Sequence, residues 1–251
     1  MAIAPGYTAY NWFGPNASSF TLPDFVAGAG INRLLMVIGL FQRTAATDFS
    51  ATVAFNGVNL SSAVQRTATS SSRWLRAGIW YQVLGDAAVD TTANVVATGS
   101  VTLAGAILCA CMLYGVDQIS PVVNVVNNGD IPSNLSLGYV PGDPNGPFGV
   151  WAAVTSANAL GWSVSSPDLT PTWGVDLGPP SSDSAEVSGA VYRYVWPDGT
   201  DDITTVTLTR SGTPAAQAGV AAKFRPAVVV SGSAGPLVNG PRLKSKLRGL
   251  V

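Results

Sequence analysis

The chain has 251 residues, 47% of them hydrophobic and 11% charged, with thirteen Lys and Arg against fourteen Asp and Glu, and no histidine. The acids are thirteen Asp and one Glu, and the lysines number three; this shortage of the residues that usually cover exposed helix faces excludes a largely helical protein. The missing histidine removes the commonest general base and metal ligand, and so weakly charged a surface suits a protein packed against neighbours.

The start, "MAIAPGYTAYNW", has neither the basic nor the apolar region of a secretion signal. The stretches "LLMVIGLF" and "VTLAGAILCACMLYGV" fall short of the roughly 20 residues a membrane helix needs. "NRLLMVIGLFQR" is a near-continuous apolar run, as in a strand buried on both sides. Asn56 and Gly57 in "VAFNGVNL" predict a tight hairpin with a primed turn. "WLRAGIWYQVL", "TTANVVATG" and "LAGAILCACMLYG" follow, then "NLSLGYV", "GVWAAVTSA", "AEVSGAVYRYVW", "ITTVTLTR" and "AGVAAKFRPAVVV". Short apolar runs separated by turn residues predict an all-β, antiparallel jelly roll or sandwich, with helix confined to one or two short connections.

Cys109 and Cys111 stand two apart in one of these runs, so their side chains share a face and read as buried thiols. The Pro- and Gly-rich stretches 141–149 and 165–184 read as long loops of one unit, because too few strands follow either to close a second core. The expected organisation is an N-terminal arm over 1–19, one β-sandwich over 20–230 and an extended basic C-terminal tail over 231–251.

The ordered set "INRLLMVIG", "VAFNGVNL", "LRAGIWYQVLG", "ANVVATGS", "AILCACMLYGVDQISPV" and "AGVAAKFRPA" resembles the single-domain jelly-roll β-sandwiches of bacteriophage and prophage virion proteins and phage-like particles. The resemblance covers roughly residues 20–228 and is a pattern of strands and turns. It implies a fold and a structural setting, and no active site.

The chemistry-bearing candidates are few. In "LYGVDQISPVV", residues 113–123, Asp117 and Gln118 follow an apolar run. One carboxylate is poor provision for calcium, which takes six to eight oxygens, whereas Asp before a Pro-ended loop suits a turn, so the reading is a structural corner. Asp198, Asp201 and Asp202 in "WPDGTDDI" form the densest acidic cluster, either a calcium loop or a solvated turn. Glu186 reads as a solvated edge residue. No nucleophile elbow, phosphate loop or Cys/His metal spacing is present, so no catalytic residue, cofactor or metal is expected. A carboxylate pair cutting glycans stays a remote alternative.

Trp12, Trp151, Trp162 and Trp173 lie in or beside loops in this reading, as contacts for protein or for sugar rings. Arg242, Lys244, Lys246 and Arg248 concentrate four cations within seven residues, and no acid follows Asp202. Four charges are few for nucleic acid. With Leu243 and Leu247 interleaved, the tail reads as a partner-binding arm or a frayed end. The expectation is a non-enzymatic virion subunit (head decoration, spike, fibre or tail-associated), assembled in the host cytoplasm in multiple copies or as a homo-oligomer. Its partners are other virion proteins, with no direct nucleic-acid or membrane binding. A carbohydrate-binding host-attachment module is the alternative.

Overall fold

The computed structural model describes residues 3–129 apart from 15, 46 and 70–72, and then 135–138, 148–155, 162–165, 173–177, 188–195, 205–210 and 216–228. Seventeen strands follow in chain order: β1 (Ala4–Phe13), β2 (Ala17–Ala27), β3 (Gly30–Arg43), β4 (Ala51–Phe55), β5 (Val58–Asn59), β6 (Ser61–Thr69), β7 (Trp74–Ala87), β8 (Thr91–Leu103) and β9 (Gly105–Tyr114). The rest are β10 (Val122–Gly129), β11 (Leu135–Gly138), β12 (Phe148–Thr155), β13 (Trp162–Ser165), β14 (Trp173–Leu177), β15 (Ser188–Val195), β16 (Thr205–Arg210) and β17 (Gln217–Phe224). The expected short helical connections do not occur among the described residues.

Among the described residues four antiparallel sheets result, in the orders β1-β9-β3-β7-β6, β2-β8-β4-β5, β10-β17-β12-β15-β14 and β11-β16-β13. The first is the central layer. On β3, Leu34, Met36, Ile38 and Leu40 join one hydrophobic core with Val150, Ala152, Val191, Val220 and Phe224 of the β10–β14 sheet. The alternate residues Leu35, Val37 and Phe41 join a second core with Phe20, Phe25, Val53, Phe55 and Val95 of the β2–β5 sheet. Strand β9 alternates in the same way, with Cys109 and Cys111 on the first side and Leu108, Ala110 and Met112 on the second. Residues with a period of two pointing to opposite faces can be apolar without interruption only if both faces are covered, and here they are. The all-β antiparallel sandwich therefore stands, with one more layer than two sheets provide.

The stretch set apart in sequence as residues 1–19 contributes β1, which pairs along β9 at the edge of the central sheet. Strand β2 carries Pro23 and Asp24 inside a register shift between Leu22 and Phe25. It is the last strand of its sheet, where a missing N–H and a bulge are tolerated. The Asn56–Gly57 turn is as expected: φ is 49° and 74°, and Phe55 pairs with Val58, which matches the twist of a hairpin. The basic tail lies outside the described residues.

Candidate functional site

The "GVDQISP" segment is the corner between β9 and β10, and through it between the two halves of the chain. Gly115 has a φ of 73°, a conformation that a side chain disfavours, and this turns the chain off the end of β9. The Gly115 N–H donates to the Ile31 carbonyl at 3.3 Å and the Val116 N–H to the Asn32 carbonyl at 3.1 Å. On the other side, the Ala227 N–H donates to the Gly115 carbonyl at 2.7 Å, the Asp117 N–H to the Arg225 carbonyl at 2.9 Å and the Arg225 N–H to the Pro121 carbonyl at 2.8 Å. A β-bridge joins Val116 to Pro226. The corner thus ties the start of β3, the end of β9 and the chain beyond β17 into one knot of main-chain bonds.

Side chains complete it. Asp117 Oδ1 accepts the N–H groups of Ile119 and Ser120, each at 2.8 Å. These two bonds hold the carboxyl below its ordinary pKa of 3.8, opposed by burial and assisted by the charge of Arg225. A carboxylate stabilised in this way is a weaker base, and one oxygen is already committed to two donors. Gln118 Nε2 donates to the Val116 carbonyl at 2.8 Å, while its Oε1 accepts the Gly85 N–H at 3.0 Å. The acid and amide flagged in sequence therefore serve the backbone. Among the described residues no group of three Asp, Glu, Cys or His side chains is placed to hold a metal ion.

Residues that sequence reasoning passed over support the same end of the molecule. Arg33, 5% exposed, donates from Nε to the Gly85 carbonyl at 3.1 Å, from one terminal nitrogen to Gly28 at 3.1 Å and Ala27 at 3.4 Å, and from the other to Leu84 at 3.4 Å. A guanidinium presents a fork of donors, which suits a site where carbonyls from the end of β2 and the last part of β7 converge. Its signal in the sequence was a charged residue opening an apolar run. Tyr114 lies against three glycines, so that a Cβ at Gly6, Gly28 or Gly30 would overlap its ring or hydroxyl.

The other candidates divide. Cys109 and Cys111 are buried and unbridged, and Thr8 Oγ1 donates to Cys111 Sγ at 3.3 Å. Trp12, placed by sequence in a loop region, is instead in β1 and packs against the first core, its indole nitrogen buried without a hydrogen-bond partner. Trp151 is within β12, and Trp162 and Trp173 open β13 and β14. Trp151 is thus in a strand, because the apolar run around it completes a ladder with β15 and β17. Glu186, Asp198, Asp201 and Asp202 lie outside the described residues, as do Arg242, Leu243, Lys244, Lys246, Leu247 and Arg248. A cleft of about 420 Å³, unmarked in sequence, opens between β6 and β10, lined by Ser62, Ala63, Tyr81 and residues 122–125. Comparison with protein-family models, with curated proteins and with solved structures finds no match for this chain.

Proposed function

We propose that the chain is a non-enzymatic structural subunit of a phage or phage-like virion, a head decoration, spike, fibre or tail-associated protein acting through protein–protein contacts. The observation that carries this reading is the corner end. Ile119 is 94% exposed at its tip, and Ile31 and Val228, on segments tied to the same knot, are also well exposed. Apolar side chains held out on a hydrogen-bonded frame gain most when a partner covers them.

The finer fold reading belongs here too. The orders β1-β9-β3-β7-β6 and β2-β8-β4-β5 interleave early and late strands of residues 4–114, as two nested Greek keys do, and this supports an eight-stranded jelly roll with β6 added beside β7, an architecture of capsid and lectin domains. The β10–β14 sheet then closes the remaining face of the central sheet. The basic segment 242–248 is read as an attachment arm for a neighbouring subunit. The test is to fractionate particles from cells producing the full chain or a chain lacking residues 235–251. Several copies per particle for the full chain, and far fewer for the shortened one, are expected. Equal incorporation would remove the arm, and absence from particles would remove the reading.

One observation favours a second reading, attachment to surface glycans. Tyr10 is half exposed on β1, at the edge of the central sheet, whereas Trp12 packs against the first core. An exposed aromatic at a sheet edge offers a stacking surface for a sugar ring. Retention on a glycan array that is lost in Tyr10→Ala would favour it; no retention would discard it.

A further inference from the structure

We infer that the cleft between β6 and β10 is the acceptor for residues 243–247 of a neighbouring copy, taken up as an added strand. The inference rests on the attachment-arm reading and supplies its missing half, the surface to which the arm binds.

The cleft has the right construction for an extended peptide. Strand β6 is the last strand of the central sheet and β10 the last strand of the sheet packed on it. The two lie side by side without joining in a ladder, and the cleft runs along this seam. Its lining is uncharged and mixed: Val123 and Val125 from β10, Val122, Ala63 and Tyr81 partly packed against the first core, and Ser62 and Asn124 as polar groups. A sheet edge can take an added strand, main-chain bonds giving affinity and alternate side chains giving specificity.

The sequence from 242 to 248 reads Arg-Leu-Lys-Ser-Lys-Leu-Arg. In an extended chain, successive side chains point to opposite faces. All four cations, Arg242, Lys244, Lys246 and Arg248, then share one face, and Leu243, Ser245 and Leu247 share the other. The uncharged cleft matches the Leu-Ser-Leu face and leaves every cation outside, so no charge is buried. The leucines stand about 13 Å apart in such a strand, enough to follow the seam along residues 122–125.

The route of the chain says whose arm it is. Residues 225–227 are bonded to Pro121, Asp117 and Gly115, which carries the backbone past the first residue of β10. Up to Ala227 the described backbone therefore runs away from residues 122–125. Fourteen residues stand between Val228 and Leu243, a reach of at most about 50 Å over the fifteen Cα-to-Cα steps, sufficient for the cleft of an adjoining copy.

Cysteine pairing in full-length protein tests this. The native thiols are buried, Val125 is exposed in the cleft, and Val58 is exposed on the far sheet. Under mild oxidation, V125C mixed with S245C is expected to give a disulfide-linked pair of chains at least about tenfold faster than V58C with S245C, the ratio that about 1.4 kcal/mol of docking produces. Adding Leu243→Asp and Leu247→Asp to the S245C chain abolishes the excess, whereas Lys244→Glu with Lys246→Glu retains it. Equal rates at Val125 and Val58 would overturn the inference, as would loss of the excess with the lysine changes. Linkage confined to the doubly substituted V125C/S245C single chain would overturn the assignment to a neighbour. Should arm deletion impair incorporation while no excess is found, the attachment arm stands and this acceptor falls.

Discussion

Replacing Ile38 by Ala tests whether the central sheet binds both halves of the chain into one cooperative unit. Ile38 is 1% exposed, registers with Ile79 on one side and Cys109 on the other, and faces Val150 and Val191 across the first core. Deleting three carbons forfeits about 2.4 kcal/mol of transfer free energy at about 0.8 kcal/mol each. The residual cavity brings measured isoleucine-to-alanine losses to about 2–5 kcal/mol. A small void of about 10 Å³ already adjoins Met36, Ile38 and Cys111, so the new space adds to an existing one and the loss falls in the upper half, about 3–5 kcal/mol. Val37, the preceding residue, belongs to the other core, and strain or loosening of β3 is felt on both faces. Urea unfolding followed by tryptophan fluorescence and by far-ultraviolet circular dichroism reads the effect. With a slope of about 2–3 kcal/mol/M, the midpoint falls by about 1–2.5 M in one transition shared by both probes. Two transitions, only one of them displaced, would refute the shared sheet as the source of cooperativity.

Asp117→Ala removes the acceptor of two N–H groups and lowers stability by about 1–2 kcal/mol, and Asp117→Asn, which keeps one acceptor oxygen, lowers it by less. Because the folded carboxyl has a lowered pKa, its contribution is complete above the ordinary carboxylate range and vanishes as pH falls through the folded value. Urea midpoints of wild type and Asp117→Asn therefore differ near neutrality and converge in strong acid; a difference independent of pH would contradict the assignment. Arg33→Leu leaves the carbonyls of Ala27, Gly28, Leu84 and Gly85 without this donor and costs about 2–4 kcal/mol in the same assay, whereas a change under 0.5 kcal/mol, the usual range for surface substitutions, would place it among them. Gly6→Ala destabilises by about 1–3 kcal/mol through overlap with Tyr114, and a double-mutant cycle with Tyr114→Ala should recover most of the loss; equal losses in both backgrounds would rule out that contact.

What the sequence made legible follows from how uniquely each pattern maps to geometry. Unbroken apolar runs at residues 34–40 and 106–113 require cover on both faces, and both strands have it. Asn56 and Gly57 specify a turn because few other residues adopt its dihedrals. Strands β1, β2, β6, β10, β13 and β14 were not anticipated, and β14 lies inside the stretch 165–184 that read as a loop. The first four carry interruptions that read as loop: Pro5 and Gly6, Pro23 and Asp24, a Ser- and Thr-rich stretch, and an Asn-rich one. All six stand at sheet edges, where polar residues, proline and bulges are accommodated. The corner was readable as a turn from Gly115, Asp117 and Pro121. Its bonds to Ile31, Gly85 and Arg225 were not, because a main-chain contact between segments distant in sequence leaves no mark on residue type. The cleft escaped for a related reason: valines on an edge strand look the same whether they face a core or a seam.

Electron cryo-microscopy of the assembled particle tests the central claim most directly. The account predicts repeated copies in which residues 4–228 keep the central sheet covered on both faces, the corner around Ile119 is buried against a neighbouring protein, and an added strand fills the seam between β6 and β10. Particles lacking the chain, or copies whose corner and seam both face solvent, would contradict it.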